Sequence, residues 1–214
     1  MNNNYKIVDI FPTPIFCASL PSKFSKLESF FDSQELQTSL STSSPSSFGE
    51  RSKNSYILNL PELSELAEHI LSLITIFGNE ILNYNYSKYS FTQSWLSLKY
   101  PNQKHHEHIH PNSIISGILY YGEFLKDTPF INFHKQSVSC NSFVLVPKKK
   151  QTNTKYSQDC YSLPILPGNL ILFSSHIIHS VSENKTNKIR KSLAFNSIPK
   201  GGFGEEPHLT ELKF

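Results

Sequence analysis

The sequence predicts a mainly β fold with flanking helices, in which N-terminal helices pack on one face of a β-sandwich or barrel. Three observations carry that prediction. Strand-like runs follow one another from Ser94 onward with turn signals between most of them. One long amphipathic stretch precedes them. Four of the nine histidines fall within residues 105–110, directly ahead of an apolar β-type run.

Residues 5–20 carry two prolines among apolar residues, which fits a short edge strand, where a missing donor is tolerated. Ser22 is placed to cap a short helix over 23–32, with Phe24, Leu27, Phe30 and Phe31 on one side. Residues 37–55 are Ser-rich and polar, and read as a loop without a core of its own. The clearest helix runs from about Pro61 to Tyr84. Pro61 suits a first helical position, and Glu62 and Glu65 favour the positive dipole end. Leu63, Leu66, Ile70, Leu73, Ile74, Phe77 and Ile81 form its buried stripe, and Gly78 marks a bend or a close approach. Strands are expected near 94–100, 104–110, 114–121, 130–134, 142–146, 161–166, 169–174, 177–183 and 190–197. The stretch 147–159 reads as a basic, solvated loop, or as a flap over substrate.

Composition narrows the function classes. With 214 residues the chain fits one domain, divided here into 1–93 (edge strand and supporting helices), 94–200 (β core) and 201–214 (tail). Sixteen Phe and ten Tyr supply bulky core material although only 38% of residues are apolar. A net charge of +3 is too small to argue for nucleic acid. Cys17, Cys140 and Cys160 lack metal or redox spacing and read as reduced thiols. No signal-like start and no apolar run near ~20 residues is present. The expectation is a soluble, cytoplasmic protein, with an oligomer open.

The histidines point to a metal. In regular β structure His106, His108 and His110 share a face, while His105, Glu107 and Ile109 take the other. Neutral imidazoles held on rigid strands suit a borderline metal. A distant strand offers His179, and His176 beside it belongs on the opposite face. Arg190 and Ser192 share a strand face and can enter the barrel together.

The runs HIHPNSIISGILYY, PGNLILFSSHIIHSVSEN and RKSLAFN, with the opening IFPTPIF and Trp95, resemble the 2-oxoglutarate- and Fe(II)-dependent oxygenases, and within them a bacterial and phage subfamily related to prolyl hydroxylases. The resemblance implies a double-stranded β-helix, the cupin-like jelly roll, with iron in its open mouth. By position it implies His108, His110 and His179 as metal ligands. It also implies Arg190, eleven residues after His179, as the partner of the distal carboxylate of 2-oxoglutarate, aided by Ser192. Tyr100, eight residues before His108, is a further candidate for that carboxylate. One departure stands out: the usual triad is two histidines and a carboxylate, and position 110 is a histidine. The pair His105 and Glu107 would restore a carboxylate, but from the other strand face.

The reaction so implied hydroxylates an aliphatic carbon, such as that of an amino-acid side chain in a peptide or protein. Two other readings stay open. One is a cupin-like three-histidine dioxygenase that does not use 2-oxoglutarate. The other is a β-sandwich binding protein with incidental histidines.

Overall fold

Alternation of apolar and polar residues from Tyr89 onward drives the chain into two antiparallel sheets. The computed structural model describes residues 6–38, 49–123, 129–135 and 154–213. Its strands are β1 (Phe16–Ser19), β2 (Leu36–Thr38), β3 (Glu50–Ser52), β4 (Tyr89–Lys99), β5 (His105–His108), β6 (Ile115–Tyr121), β7 (Phe130–His134), β8 (Cys160–Pro164), β9 (Asn169–Ser174), β10 (His179–Val181) and β11 (Arg190–Pro199). The large sheet has the order β1-β9-β6-β11-β4-β3-β2, and the small sheet the order β5-β10-β7-β8. They face each other as a double-stranded β-helix, with helices covering the outside of the large sheet.

Two apolar layers follow from this arrangement. One lies between the helices and the large sheet and contains Phe31, Leu63, Leu66, Ile70, Ile74, Phe77, Leu96, Leu119, Leu193 and Phe195. The other fills the barrel interior with Ile118, Tyr120, Ile131, Phe133, Ile171, Phe173 and Val181. Ile70, Ile74 and Leu63 are fully buried, each worth roughly 1.5–3 kcal/mol against exposure. The helical stripe therefore anchors the layer that stiffens the large sheet.

The long helix is tripartite: a 3-10 turn over Pro61–Leu63, α2 (Ser64–Thr75) and a π segment over Ile76–Ile81. A Cβ at Gly78 would stand 2.2 Å from Tyr89 Oη, so glycine is what lets the π turn lie against the start of β4. The first helix is split as well, into a 3-10 segment Ser22–Leu27 and α1 (Glu28–Asp32), with no side-chain cap at its start. Phe16–Ser19 is an edge strand, paired only with β9 in the sheet order.

Three expectations change. The stretch 37–55 is not only loop: β3 and the end of β2 fall in it and extend the large sheet past β4. Ser52, fully buried, accepts from Leu96 N–H at 3.1 Å and donates to the Asn54 carbonyl at 2.6 Å. Serine here replaces missing backbone partners, which a composition-based reading overlooks. Strand β4 begins at Tyr89, five residues before Ser94, because its N-terminal half pairs with Asn196–Pro199. Strict alternation fails in β5, as shown below. The expected strand 142–146, Cys140 and residues 147–153 of the basic loop lie outside the described residues. Cys17 and Cys160 are free thiols. No helix among the described residues is long and apolar enough to cross a membrane.

Candidate metal and cosubstrate site

Register defines the inner face of the large sheet, because directly paired residues share a face. Four successive rungs cross it. The first pairs Lys99 of β4 with Arg190 of β11. The second sets Ser97, Ser192 and Tyr120 side by side, and the third Trp95, Ala194, Ile118 and Ile171. The fourth consists of Gln93, Asn196, Ser116 and Phe173. One end is thus cationic, the middle is largely apolar, and the far end carries amides and hydroxyls. Ser116 Oγ donates to Asn196 Oδ1 at 2.8 Å and lies 2.8 Å from Ser175 Oγ, which fixes that far rung.

The small sheet closes over these rungs with histidines. His179 opens β10 opposite His108 of β5. His110, just beyond β5, is held by its backbone N–H on the Ser175 carbonyl at 3.0 Å. One ligand atom from each of His108, His110 and His179 lies within 4.8 Å of the others. Ring centroids are 4.2 Å apart for His108 and His179, and 5.0 Å for His110 with either. Phe173 packs 4.5 Å from the His179 ring and Trp95 6.1 Å from the His110 ring, fencing the cluster with aromatic surface.

The tautomers are set locally. His179 Nδ1 lies 3.0 Å from the Ile177 carbonyl and His108 Nδ1 2.9 Å from the His106 carbonyl. A carbonyl only accepts, so both Nδ1 atoms carry the proton and both Nε2 atoms present a lone pair. His179 is 1% exposed, and its Nε2 is buried with no hydrogen-bond partner among the described residues. Burial pulls the His179 pKa down to about 3 and that of His110 to about 4, with the neighbouring His108 adding to both. Burial likewise lowers that of His108. Neutral, oriented imidazoles, His179 buried and the other two half-buried, with an orphaned lone pair among them, fit a divalent metal.

A bulge explains the rest of the cluster. Between β5 and β10 the partners step from His179↔His108 to Val181↔His105, three residues against two. His105 therefore joins the side of His108, stacking on it at 4.2 Å, although even spacing assigns it to the opposite face. Burial takes the His105 pKa down to about 2, with His108 and Lys99 contributing. Glu107 turns outward: its side chain is 64% exposed and lies 3.6 Å from His134 Nδ1. The other side of His134 meets Ser180 Oγ at 2.8 Å. His106 and His176 are exposed.

Among the cosubstrate candidates, Arg190 is 5% exposed and its Nη1 donates to the Ser182 carbonyl at 2.8 Å. Ser192 lies on the next rung, with a long 3.5 Å bond to the Ser97 carbonyl. Tyr100 does not join them. It sits one residue past β4, is 36% exposed and donates to Glu50, a bond that raises its pKa. Strand alternation turns position 99 inward instead, so the residue missed by the sequence reading is Lys99. Its signal was available: it pairs in register with Arg190 once β4 is taken to end there.

Residues 93–196 match the family described as "Putative 2OG-Fe(II) oxygenase". That span runs from the Gln93 rung to the Asn196 rung and includes all the residues of the histidine cluster. A Pseudomonas putida prolyl-4-hydroxylase shares the fold at a TM-score of 0.58 and 13% identity, over 88% of this chain and 94% of that one. A Burkholderia pseudomallei 2OG-Fe(II) oxygenase family oxidoreductase does so at 0.56 and 14%, over 85% and 83%. HygX from Streptomyces hygroscopicus, solved with nickel, 2-oxoglutarate and hygromycin B, does so at 0.58 and 9%, over 87% and 83%. No curated protein sequence matches the chain. The β core is thus similar to the 2-oxoglutarate- and Fe(II)-dependent oxygenases over residues 93–196, and the fold is the double-stranded β-helix of those structures.

Proposed function

We propose that the protein hydroxylates an aliphatic carbon, such as that of an amino-acid side chain, with His108, His110 and His179 holding Fe(II) and Arg190 binding the distal carboxylate of 2-oxoglutarate. The observation that carries this reading is a buried arginine inside the same barrel as the three-imidazole cluster. A cupin-like site that does without 2-oxoglutarate has no use for that cation. When bound, the metal supplies the coupling of 2-oxoglutarate decarboxylation to oxygen insertion.

The chain's own residues supply position and dryness. The guanidinium is anchored by Ser182, and most of its five donors remain for a carboxylate among the described residues. Ser192 adds a hydroxyl one rung nearer the histidines. Trp95 and Phe173 pack on the His110 and His179 rings and orient them. A cavity of about 890 Å³ is lined by Phe133 of β7, Ile177, Phe11 and Tyr156 together with Asp9, His134, Lys135 and Lys155; none of the three clustered histidines lines it. A cavity of that size with a mixed lining suits a substrate presenting both an aliphatic chain and polar groups.

The test is a 2-oxoglutarate titration of the anaerobic Fe(II) protein, followed by the charge-transfer absorption of a chelated 2-keto acid. Succinate release is then measured against peptides, free amino acids and nucleosides. A band with succinate release stimulated by amino-acid-containing substrates is expected. No band in the wild type would overturn the reading and promote the cupin-like one.

A further inference from the structure

We propose that Asn196 recognises the substrate: its amide N–H groups donate to a carbonyl oxygen of the molecule being oxidised, beside the histidine cluster. This names a substrate class for the site, aliphatic compounds that carry a carbonyl such as amino acids in amide linkage, and it rests on the oxygenase reading above.

Asn196 belongs to the fourth rung, with Ser116 and Phe173. Phe173 packs 4.5 Å from the His179 ring and 6.3 Å from that of His110, and Trp95, on the third rung, lies 6.1 Å from His110. The cluster therefore sits over the third and fourth rungs, while Arg190 occupies the first. A diacid that reaches from the cluster to Arg190 covers the rungs between them. Asn196 stands at the opposite edge of the cluster, the side left to a second molecule. His176 and Ile177, which line the large cavity, follow Ser175 directly in the chain, and Ser175 is hydrogen-bonded to Ser116.

Hydroxyls fix the amide from behind. Ser116 Oγ donates to Asn196 Oδ1 at 2.8 Å. A hydroxyl carries one proton, so the 2.8 Å contact of Ser116 with Ser175 takes its proton from Ser175. The 2.8 Å contact of Ser175 with Ser113 then takes its proton from Ser113. The three hydroxyls donate in one direction, and the chain ends on the amide oxygen. Ser116 and Ser175 are each 1% exposed, so the chain is locked inside the protein. Asn196 is itself buried, yet Nδ2 has no hydrogen-bond partner among the described residues and is not one of the sealed polar atoms, as Nε2 of His179 is. Two donors are thus held in one orientation with nothing to donate to, a state that an arriving acceptor relieves. A carbonyl oxygen supplies that acceptor. An alkyl group or an alkylammonium ion does not.

The experiment measures succinate release by the Fe(II)-loaded protein with 2-oxoglutarate. The probes are N-acetyl methylamides of the aliphatic amino acids and the alkylamines bearing the same side chains, which carry no oxygen. A methylamide should stimulate the wild type and its alkylamine should not. Asn196→Asp keeps the acceptor for Ser116 but donates nothing, whereas Asn196→Ala removes both. Each should lower kcat/KM for the methylamide about 10- to 100-fold, chiefly through KM. The midpoint of the 2-oxoglutarate charge-transfer titration should stay within about twofold. A merely structural Asn196 predicts a loss in Asn196→Ala and none in Asn196→Asp, and that pattern overturns the inference. If Asn196→Ala fails to fold, Asn196→Asp against wild type decides alone. Equal stimulation by the alkylamine, or none by either probe, also overturns it. The charge-transfer band tells the two failures apart: with the band present the oxygenase reading stands, and without it both fall.

Discussion

Replacing His179 by Ala tests the metal centre most directly. In the metal-free protein the change removes a buried ring with an unpartnered Nε2, whose desolvation costs about 1–3 kcal/mol. It also removes packing on Phe173, 4.5 Å away, and leaves a cavity that costs a similar amount. The two effects offset, so metal-free stability should change by no more than about 1–2 kcal/mol. The metal changes the comparison. At a hundredfold excess of Fe(II) over its dissociation constant, wild type gains about 2.7 kcal/mol by binding linkage. For a chain of this length that is a rise in melting temperature of roughly 5–10 °C. His179→Ala should lose most of that rise, because two imidazoles remain of three. Anaerobic calorimetry with and without Fe(II), with iron content measured after gel filtration, reads both quantities. A variant that keeps the full shift and stoichiometric iron would refute the assignment of His179.

Other outcomes follow from the same geometry. Glu107→Gln should leave Fe(II) affinity within about twofold, since that carboxylate is exposed beside His134; loss of metal would restore the His105/Glu107 alternative. Ser52→Ala should destabilise by about 1–3 kcal/mol in urea unfolding, because it leaves the Leu96 N–H buried without its acceptor. Lys99 gives a pH signature in the metal- and cosubstrate-free protein. Its folded pKa, about 8, lies below its unfolded value, so the unfolded chain binds more protons between them. Stability should rise with pH from about 8 toward 10, by an amount on the order of 2–3 kcal/mol. Lys99→Met, measured by denaturation across that range, should flatten the rise relative to wild type, and parallel curves would contradict it.

Much of the fold was legible because periodicity survives in the sequence. Leu63, Leu66, Ile70, Ile74 and Phe77 of the expected stripe are buried, whereas Leu73 is half-buried and Ile81, in the π segment, is exposed; the strands carrying Ile115–Tyr121 and Asn169–Ser174 lie within two residues of their expected limits. What escaped was information held between strands. His105 cannot be placed by counting along one chain, since the bulge that turns it inward exists only in the pairing with β10. Tyr100 and Lys99 are exchanged by a single residue of register, and in a ladder of period two that decides which side chain enters the barrel. Ser52 reads as loop polarity, and Ser94 as an ordinary first residue of a strand. In the fold their hydroxyls receive the backbone N–H groups of Leu96 and Leu58 inside the protein.

The three-nitrogen cradle also ranks metals. Without a carboxylate, His108, His110 and His179 offer only neutral imidazole donors, a set on which ferrous iron is outcompeted by cobalt, nickel, copper and zinc. The low pKa values of His110 and His179 remove protons as competitors near neutrality, so occupancy is decided among metals by affinity and supply. Protein exposed to trace zinc or to nickel resin would fill with the wrong ion and fall silent. The protein must be stripped with a chelator, freed of it, and then loaded with Fe(II) under reducing, anaerobic conditions before any substrate screen is meaningful.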